Sequence, residues 1–190
     1  MIAPVRTAVY EVELKLRADH GAVRERLAAA GAESCGTVVQ RDTYYDAPHR
    51  DFAETDEALR VRRVEREGAV ESHLTYKGPL VDDASKTRRE HETGVDDGET
   101  VAAALDALGF SPAAEVRKRR ERFALDGHAV TLDAVEGLGE FVEVEGEASE
   151  GEIAAVREDV AATVRRLDLD PEAGIRTSYL ELLLEGDALE

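Results

Sequence analysis

The chain has 190 residues, 43% hydrophobic and 35% charged, the composition of a globular domain with a substantial core. Its 42 acidic residues outnumber 24 basic ones, giving a formal net charge of -18, which argues against a nucleic-acid binder because phosphate contacts come mainly from Lys and Arg. No stretch approaches the 18 apolar residues of a membrane span, no secretory leader is apparent, and the single Cys35 can form neither an intramolecular disulfide nor a cysteine metal cluster, so a cytoplasmic protein is expected. The acidic surplus also fits a surface adapted to high salt, where repulsion between carboxylates is screened. Only Lys15, Lys77, Lys86 and Lys118 are lysines and the other twenty basic residues are arginines, in keeping with a halophilic source.

The first element is a strand over 10–17, where Tyr10, Val12, Leu14 and Leu16 alternate with Glu11, Glu13, Lys15 and Arg17. A helix follows from Asp19, its N-cap, to Ala30, with Val23 and Leu27 on one face and Gly31 as its stop. Alternation returns at 37–45, 58–66, 70–78 and 87–95, with 80–86 reading as a loop. Residues 99–108 form a second helix, ended by Gly109. Strands at 116–125, 128–135 and 139–146 come next, joined by turns at Asp126-Gly127 and Glu136-Gly137. The capping-box pattern Ser149-Glu150-Gly151-Glu152 opens a helix to Leu167, and a last amphipathic segment spans about 177–185. No repeat, low-complexity tract or linker divides the chain, so one α+β domain over 1–190 is expected, an antiparallel sheet with helices on its outside.

A polar strand face in an antiparallel sheet ordinarily faces water. Here particular strands carry particular charges instead. Glu11 and Glu13 share a face about 7 Å apart, where two carboxylates repel by about 2.4 kcal/mol at an effective dielectric near 20. Glu143 and Glu145 repeat the arrangement, and Asp133 lies on the strand before them. Should these five converge, a hard cation such as Mg²⁺ or Mn²⁺ would offset the repulsion. Lys15 shares a face with the first pair; Arg60 with Arg62, and Lys118 with Arg120, share faces of their own. Lys77 follows His73 and Thr75, and Arg88 precedes Glu90 and Glu92. Basic groups around a metal site describe a receptor for a polyanion bound with its cation. No histidine pair has metal-ligand spacing, no P-loop is present, and Ser34, Cys35 and Ser72 lack a base at local spacing. Tyr44, Tyr45 and Tyr76 read as core or wall residues.

Glu11-Val12-Glu13-Leu14-Lys15 resembles the E-x-E-x-K signature of the CYTH superfamily, the triphosphate tunnel metalloenzymes. The resemblance continues through Gln40 to Asp46, Ala58 to Arg62, Thr75 to Gly78, and Lys86-Thr87-Arg88 with Glu90. It resumes at Lys118-x-Arg120, Leu132-Asp133 and Gly137 to Glu145, and the segments at 40–62 and 75–90 look most like the class IV adenylyl cyclase branch. This resemblance implies an eight-stranded antiparallel β-barrel tunnel with the helices packed outside. It implies Glu11, Glu13, Asp133, Glu143 and Glu145 as ligands of Mg²⁺ or Mn²⁺. Lys15, Arg60, Arg62, Lys77, Arg88, Lys118 and Arg120 would bind the triphosphate, with Glu11, Glu13 and Lys15 carrying the chemistry. The implied partner is a nucleoside triphosphate or inorganic triphosphate, and a homodimer is implied as well. The same tunnel serves ATP cyclisation and the hydrolysis of inorganic, nucleoside or thiamine triphosphate. A non-catalytic nucleotide or polyphosphate sensor is the alternative of another class.

Overall fold

The structure is a computed structural model that describes residues 10–82, 87–149 and 151–187. Eight strands are present: β1 Tyr10–Arg17, β2 Glu33–Asp46, β3 Ala58–Arg66, β4 Ala69–Asp82, β5 Thr87–Val95, β6 Ser111–Leu125, β7 His128–Val135 and β8 Gly139–Ala148. They close into a barrel in the order β1-β5-β4-β3-β2-β6-β7-β8, every pair antiparallel. Four helices accompany them: α1 His20–Ala30, α2 Gly98–Ala107, α3 Ile153–Arg166 and α4 Tyr179–Asp187, with a single 3₁₀ turn at Pro171–Ala173. No helix is long and apolar enough to cross a membrane among the described residues.

The strand alternation sorts the side chains. Leu16, Val130, Leu132, Val142 and Val144 point out of the barrel and pack against Val23 and Leu27 of α1 and Val160 and Val164 of α3. The larger hydrophobic cluster therefore lies between the barrel wall and these helices, while the charged faces of the strands turn inward; a second cluster, Val116, Val135 and Phe141 with Tyr179, forms where α4 docks. Asp19 caps α1 by accepting from the Ala22 N–H at 2.8 Å, and Gly31 ends the helix in the left-handed region at φ 77°. On α2, the Asp97 carboxylate accepts from the amides of Glu99 and Thr100. Close approach of α3 to β8 depends on Gly146, where a Cβ would stand 2.9 Å from Val156 Cγ1 and 3.2 Å from Val160 Cγ2.

Several strands outrun their sequence patterns. The spacing predicts strands at 37–45 and 116–125, but β2 and β6 pair from Glu33↔Ala124 to Asp46↔Ser111, with irregularities after Ser34 and Tyr44. Backbone pairing carries both strands past the alternation that marks them, because ladder hydrogen bonds do not depend on side chains. β4 likewise runs through Asp82, so the first part of the expected 80–86 loop is strand; residues 83–86, with Lys86, lie outside the described residues. The third helix begins at Ile153 rather than Ser149: the Ser149 hydroxyl bonds the Glu152 carboxylate, but a turn precedes the helix.

Replacing Gly146 with Ala should lower the stability by about 1–3 kcal/mol, because the new methyl group meets Val156 and Val160 in a filled interface. Urea denaturation checks this, and an unchanged midpoint would contradict the close seat of α3.

Candidate active site

A cavity of about 630 Å³ occupies the barrel. Cations from four strands line it: Arg60 and Arg62 of β3, Lys77 of β4, Arg88 of β5, and Lys118 and Arg120 of β6. The facing carboxylates include Glu11 and Glu13 of β1, Asp42 of β2, Glu90 and Glu92 of β5, and Glu143 and Glu145 of β8. The loop joining β2 to β3 and the helix α4 form the rest of the wall, with Phe52, Ala53, Leu180 and Leu184 supplying apolar surface beside Tyr44.

The β1–β8 register sets Glu13 opposite Glu145, and Glu11 shares their face two residues along β1. Oxygens of Glu11, Glu13 and Glu145 all lie within 4.8 Å of one another. Burial raises the Glu145 pKa to about 8; Arg120 opposes the rise, while Glu11, Glu143 and Glu13 add to it. Burial likewise raises Glu11 against the opposing charge of Lys77. The three clustered carboxylates form an all-oxygen donor set that suits a hard divalent cation.

Elsewhere the interior is tightly paired. Asp133 is fully buried and accepts from Lys118 Nζ at 2.9 Å, Arg120 Nε at 2.7 Å and the Tyr179 hydroxyl at 3.1 Å. Arg120 also bonds the Glu143 carboxylate and approaches Glu145 at 3.9 Å. Burial opposes the charge on Asp133, but Arg120 and Lys118 outweigh it and keep its pKa low. Asp42 receives a two-pronged contact from Arg62, both bonds at 2.7 Å, and a 3.3 Å bond from Arg60. Its burial is likewise overcome, and the carboxyl is held well below its usual range. Lys77 lies 2.7 Å from Glu90 and 3.5 Å from Glu11. Arg88 is steadied at 3.1 Å by Asp56 of the β2–β3 loop and at 3.2 Å by the Gly78 carbonyl.

Of the residues picked out by the sequence, the structure brings Glu11, Glu13, Arg60, Arg62, Lys77, Arg88, Lys118, Arg120, Glu143 and Glu145 to one cavity. It groups Glu11, Glu13 and Glu145 as possible cation ligands and leaves the other two expected ligands, Asp133 and Glu143, beside Arg120. Asp133 does not line the cavity, and Lys15 opens on a different one. The Lys15 ammonium is buried against the Tyr179 ring, 4.5 Å from its centroid, and bonds the Thr177 carbonyl. Sequence reasoning missed Asp42, Asp56 and Tyr179. Asp42 was within reach, as two arginines on one inward face of β3 require a counter-ion; Tyr179 depends on how α4 docks and leaves no local signal.

A CYTH domain model matches residues 9–179, and the chain belongs to that family. A Methanocaldococcus jannaschii protein named as a presumptive adenylate cyclase is 38% identical over 174 residues, 90% of this chain and 97% of that protein. Adenylate cyclase CyaB of Aeromonas hydrophila is 29% identical over 137 residues, 71% of this chain and 68% of that protein. Among solved structures, a Pyrococcus horikoshii protein superposes with a TM-score of 0.86 at 41% identity, covering 93% of this chain and 99% of that one. A Hippeastrum protein described by a dominant triphosphatase activity shares the fold, with a TM-score of 0.68 at 20% identity over 94% of this chain and 96% of its own.

The raised Glu145 pKa gives a pH dependence of definite sign. Without an ion, the folded chain holds a proton on Glu145 that the unfolded chain has lost, so this group's stabilisation is present below its ordinary value of 4.5 and lost as pH rises through about 8. A divalent cation must displace that proton. Mn²⁺ affinity should therefore fall about tenfold per pH unit below 8, with about one proton released per ion. Calorimetric titration in buffers of different ionisation heat measures both, and affinity independent of pH between 6 and 8 would contradict it.

Proposed function

We propose that this protein is a cation-dependent enzyme that acts on a triphosphate bound inside the barrel, in the manner of a class IV adenylyl cyclase, converting ATP to cyclic AMP and pyrophosphate. The observation that carries this reading is the adjacency, in one cavity, of a three-carboxylate cluster and a wall of six cations. Carboxylates alone would suit a cation, and cations alone an anion; the two together suit a polyphosphate that arrives with its metal. Glu11, Glu13 and Glu145 would hold the ion, Mg²⁺ or Mn²⁺, which when bound supplies Lewis-acid stabilisation of phosphate charge.

The chain's own residues position the substrate. Arg60, Arg62, Lys77 and Arg88 lie on adjacent strands, so their charges form one continuous strip along which successive phosphates can bind. Lys118 and Arg120 of β6 face the same cavity from beyond β2, which carries Asp42 between them and β3. In the cyclase reaction the ribose 3′ hydroxyl gives up its proton to solvent, its oxygen forms a bond to the α-phosphorus, the bond from that phosphorus to the bridging oxygen breaks, and pyrophosphate leaves with the electron pair. The strip then stabilises the charge that builds on the leaving group. Phe52, Leu180, Leu184 and Tyr44 give the cavity an apolar portion suited to a nucleobase, a feature that inorganic triphosphate does not require. The cyclase names of the two relatives support this choice. Hydrolysis, the dominant activity described for the Hippeastrum protein, is the competing outcome.

ATP and inorganic triphosphate should be offered separately to the purified chain with Mg²⁺ or Mn²⁺ in high salt, and the products separated by chromatography. Cyclic AMP and pyrophosphate are expected, with turnover abolished in Glu13→Ala. Orthophosphate without cyclic AMP would make the protein a triphosphatase. Tight binding without any product would make it a sensor.

A further inference from the structure

Residues 47–57 join β2 to β3, and Asp51, Phe52, Ala53, Asp56 and Glu57 of this segment line the larger cavity. The segment is stiffened from within. Asp51 Oδ1 accepts from the amides of Ala53 at 2.9 Å and Glu54 at 3.1 Å, and the Glu57 amide donates to the Phe52 carbonyl at 2.8 Å. Phe52 to Glu57 therefore hold together as one unit. The Phe52 ring is buried, with the Arg50 guanidinium 5.3 Å from its centroid.

Asp56 fastens this unit to the phosphate-binding wall. Its carboxylate accepts from the Leu80 amide at 2.8 Å and from Arg88 Nη2 at 3.1 Å, and its carbonyl accepts from Arg88 Nη1 at 3.3 Å. It stands at φ 52°, in the left-handed region that aspartate and asparagine tolerate better than most residues. Arg88 Nη1 also donates to the Gly78 carbonyl at 3.2 Å, whereas Arg88 Nε is buried without a hydrogen-bond partner among the described residues. The loop thus engages one side of the guanidinium and leaves N–H groups on Nε and Nη2 for phosphate oxygens. Because the Asp56 side chain is 43% exposed, its ion pair with Arg88 contributes little to stability, and its main consequence is geometric.

We propose that Asp56 is a positioning residue that gives the cavity a preference for ATP over inorganic triphosphate. It ties Phe52, on the nucleobase side, to Arg88, on the phosphate side. ATP engages both ends and gains from the tie, whereas inorganic triphosphate engages the cations alone. This role rests on the triphosphate reading of the larger cavity, with Phe52 in its apolar portion.

Asp56→Asn removes the charge but keeps an acceptor for the Leu80 amide and a side chain suited to the same backbone angle. ATP and inorganic triphosphate should be titrated calorimetrically into the full chain without divalent ions, in the wild type, Asp56→Asn, Phe52→Leu and the double variant. The ratio of the Kd for ATP to that for inorganic triphosphate should rise at least fivefold in Asp56→Asn, with the Tm unchanged. It should rise in Phe52→Leu as well, and no further in the double variant, because Asp56 acts through that ring. An unchanged ratio in Asp56→Asn, or effects that multiply in the double variant, would overturn the proposal and leave triphosphate binding intact. No saturable binding of either ligand by the wild type would overturn the reading of the cavity, and the role of Asp56 with it.

Discussion

A charge removed from water needs a partner, and this barrel encloses six cations and at least as many carboxylates. Everything else in the site follows from how they are compensated. Asp42 is shared between Arg60 and Arg62, Asp133 between Lys118 and Arg120, and Glu90 faces Lys77. Glu11, Glu13 and Glu145 are the place where like charges gather instead, and there burial and mutual repulsion shift Glu145 and Glu11 towards their protonated forms. The interior is thus balanced by ion pairs on one side and by protons on the other, and a divalent cation is the natural replacement for those protons.

This balance implies that cation and polyphosphate help each other to bind. Lys77 lies between Glu11 and Glu90, so a cation drawn to Glu11 weakens the hold of that carboxylate on the ammonium and frees it for phosphate. Binding phosphate first has the converse effect on the carboxylates. The fold keeps its larger apolar cluster outside the barrel, where α1 and α3 seal the outer face of β1, β7 and β8; a smaller one, Val116, Val135 and Phe141 with Tyr179, lies on the same strand faces as Lys118, Asp133 and Glu143. Tyr179 completes the arrangement, with its ring against Phe141, Lys15 and Lys118 and its hydroxyl on Asp133.

Strict alternation made much of this legible in the sequence. Glu11, Glu13 and Lys15 on one face of β1, and Glu143 and Glu145 on one face of β8, follow from a side-chain period of two, and their order along the chain matched a family signature. Closure of the barrel was implied by that resemblance and is borne out by the strand order. What alternation could not supply was depth and cross-strand register. Asp133 shares an inward face with the rest, yet Lys118, Arg120 and Tyr179 surround it before a cavity ligand could reach it. Lys15 was expected at the triphosphate, but the docking of α4 sets Tyr179 against it, and it lines a different cavity. Both outcomes depend on which elements are neighbours, and no local pattern encodes that.

The central claim is that cation and triphosphate occupy one charged interior cooperatively, and thermal unfolding measures this most directly. The shift in Tm should be recorded with Mn²⁺ alone, with inorganic triphosphate alone and with both at the same concentrations, in the wild type and in Glu145→Gln. The account predicts a shift with both present that exceeds the sum of the separate shifts, and loss of that excess in the variant. Strictly additive shifts, or an excess that survives in Glu145→Gln, would contradict it.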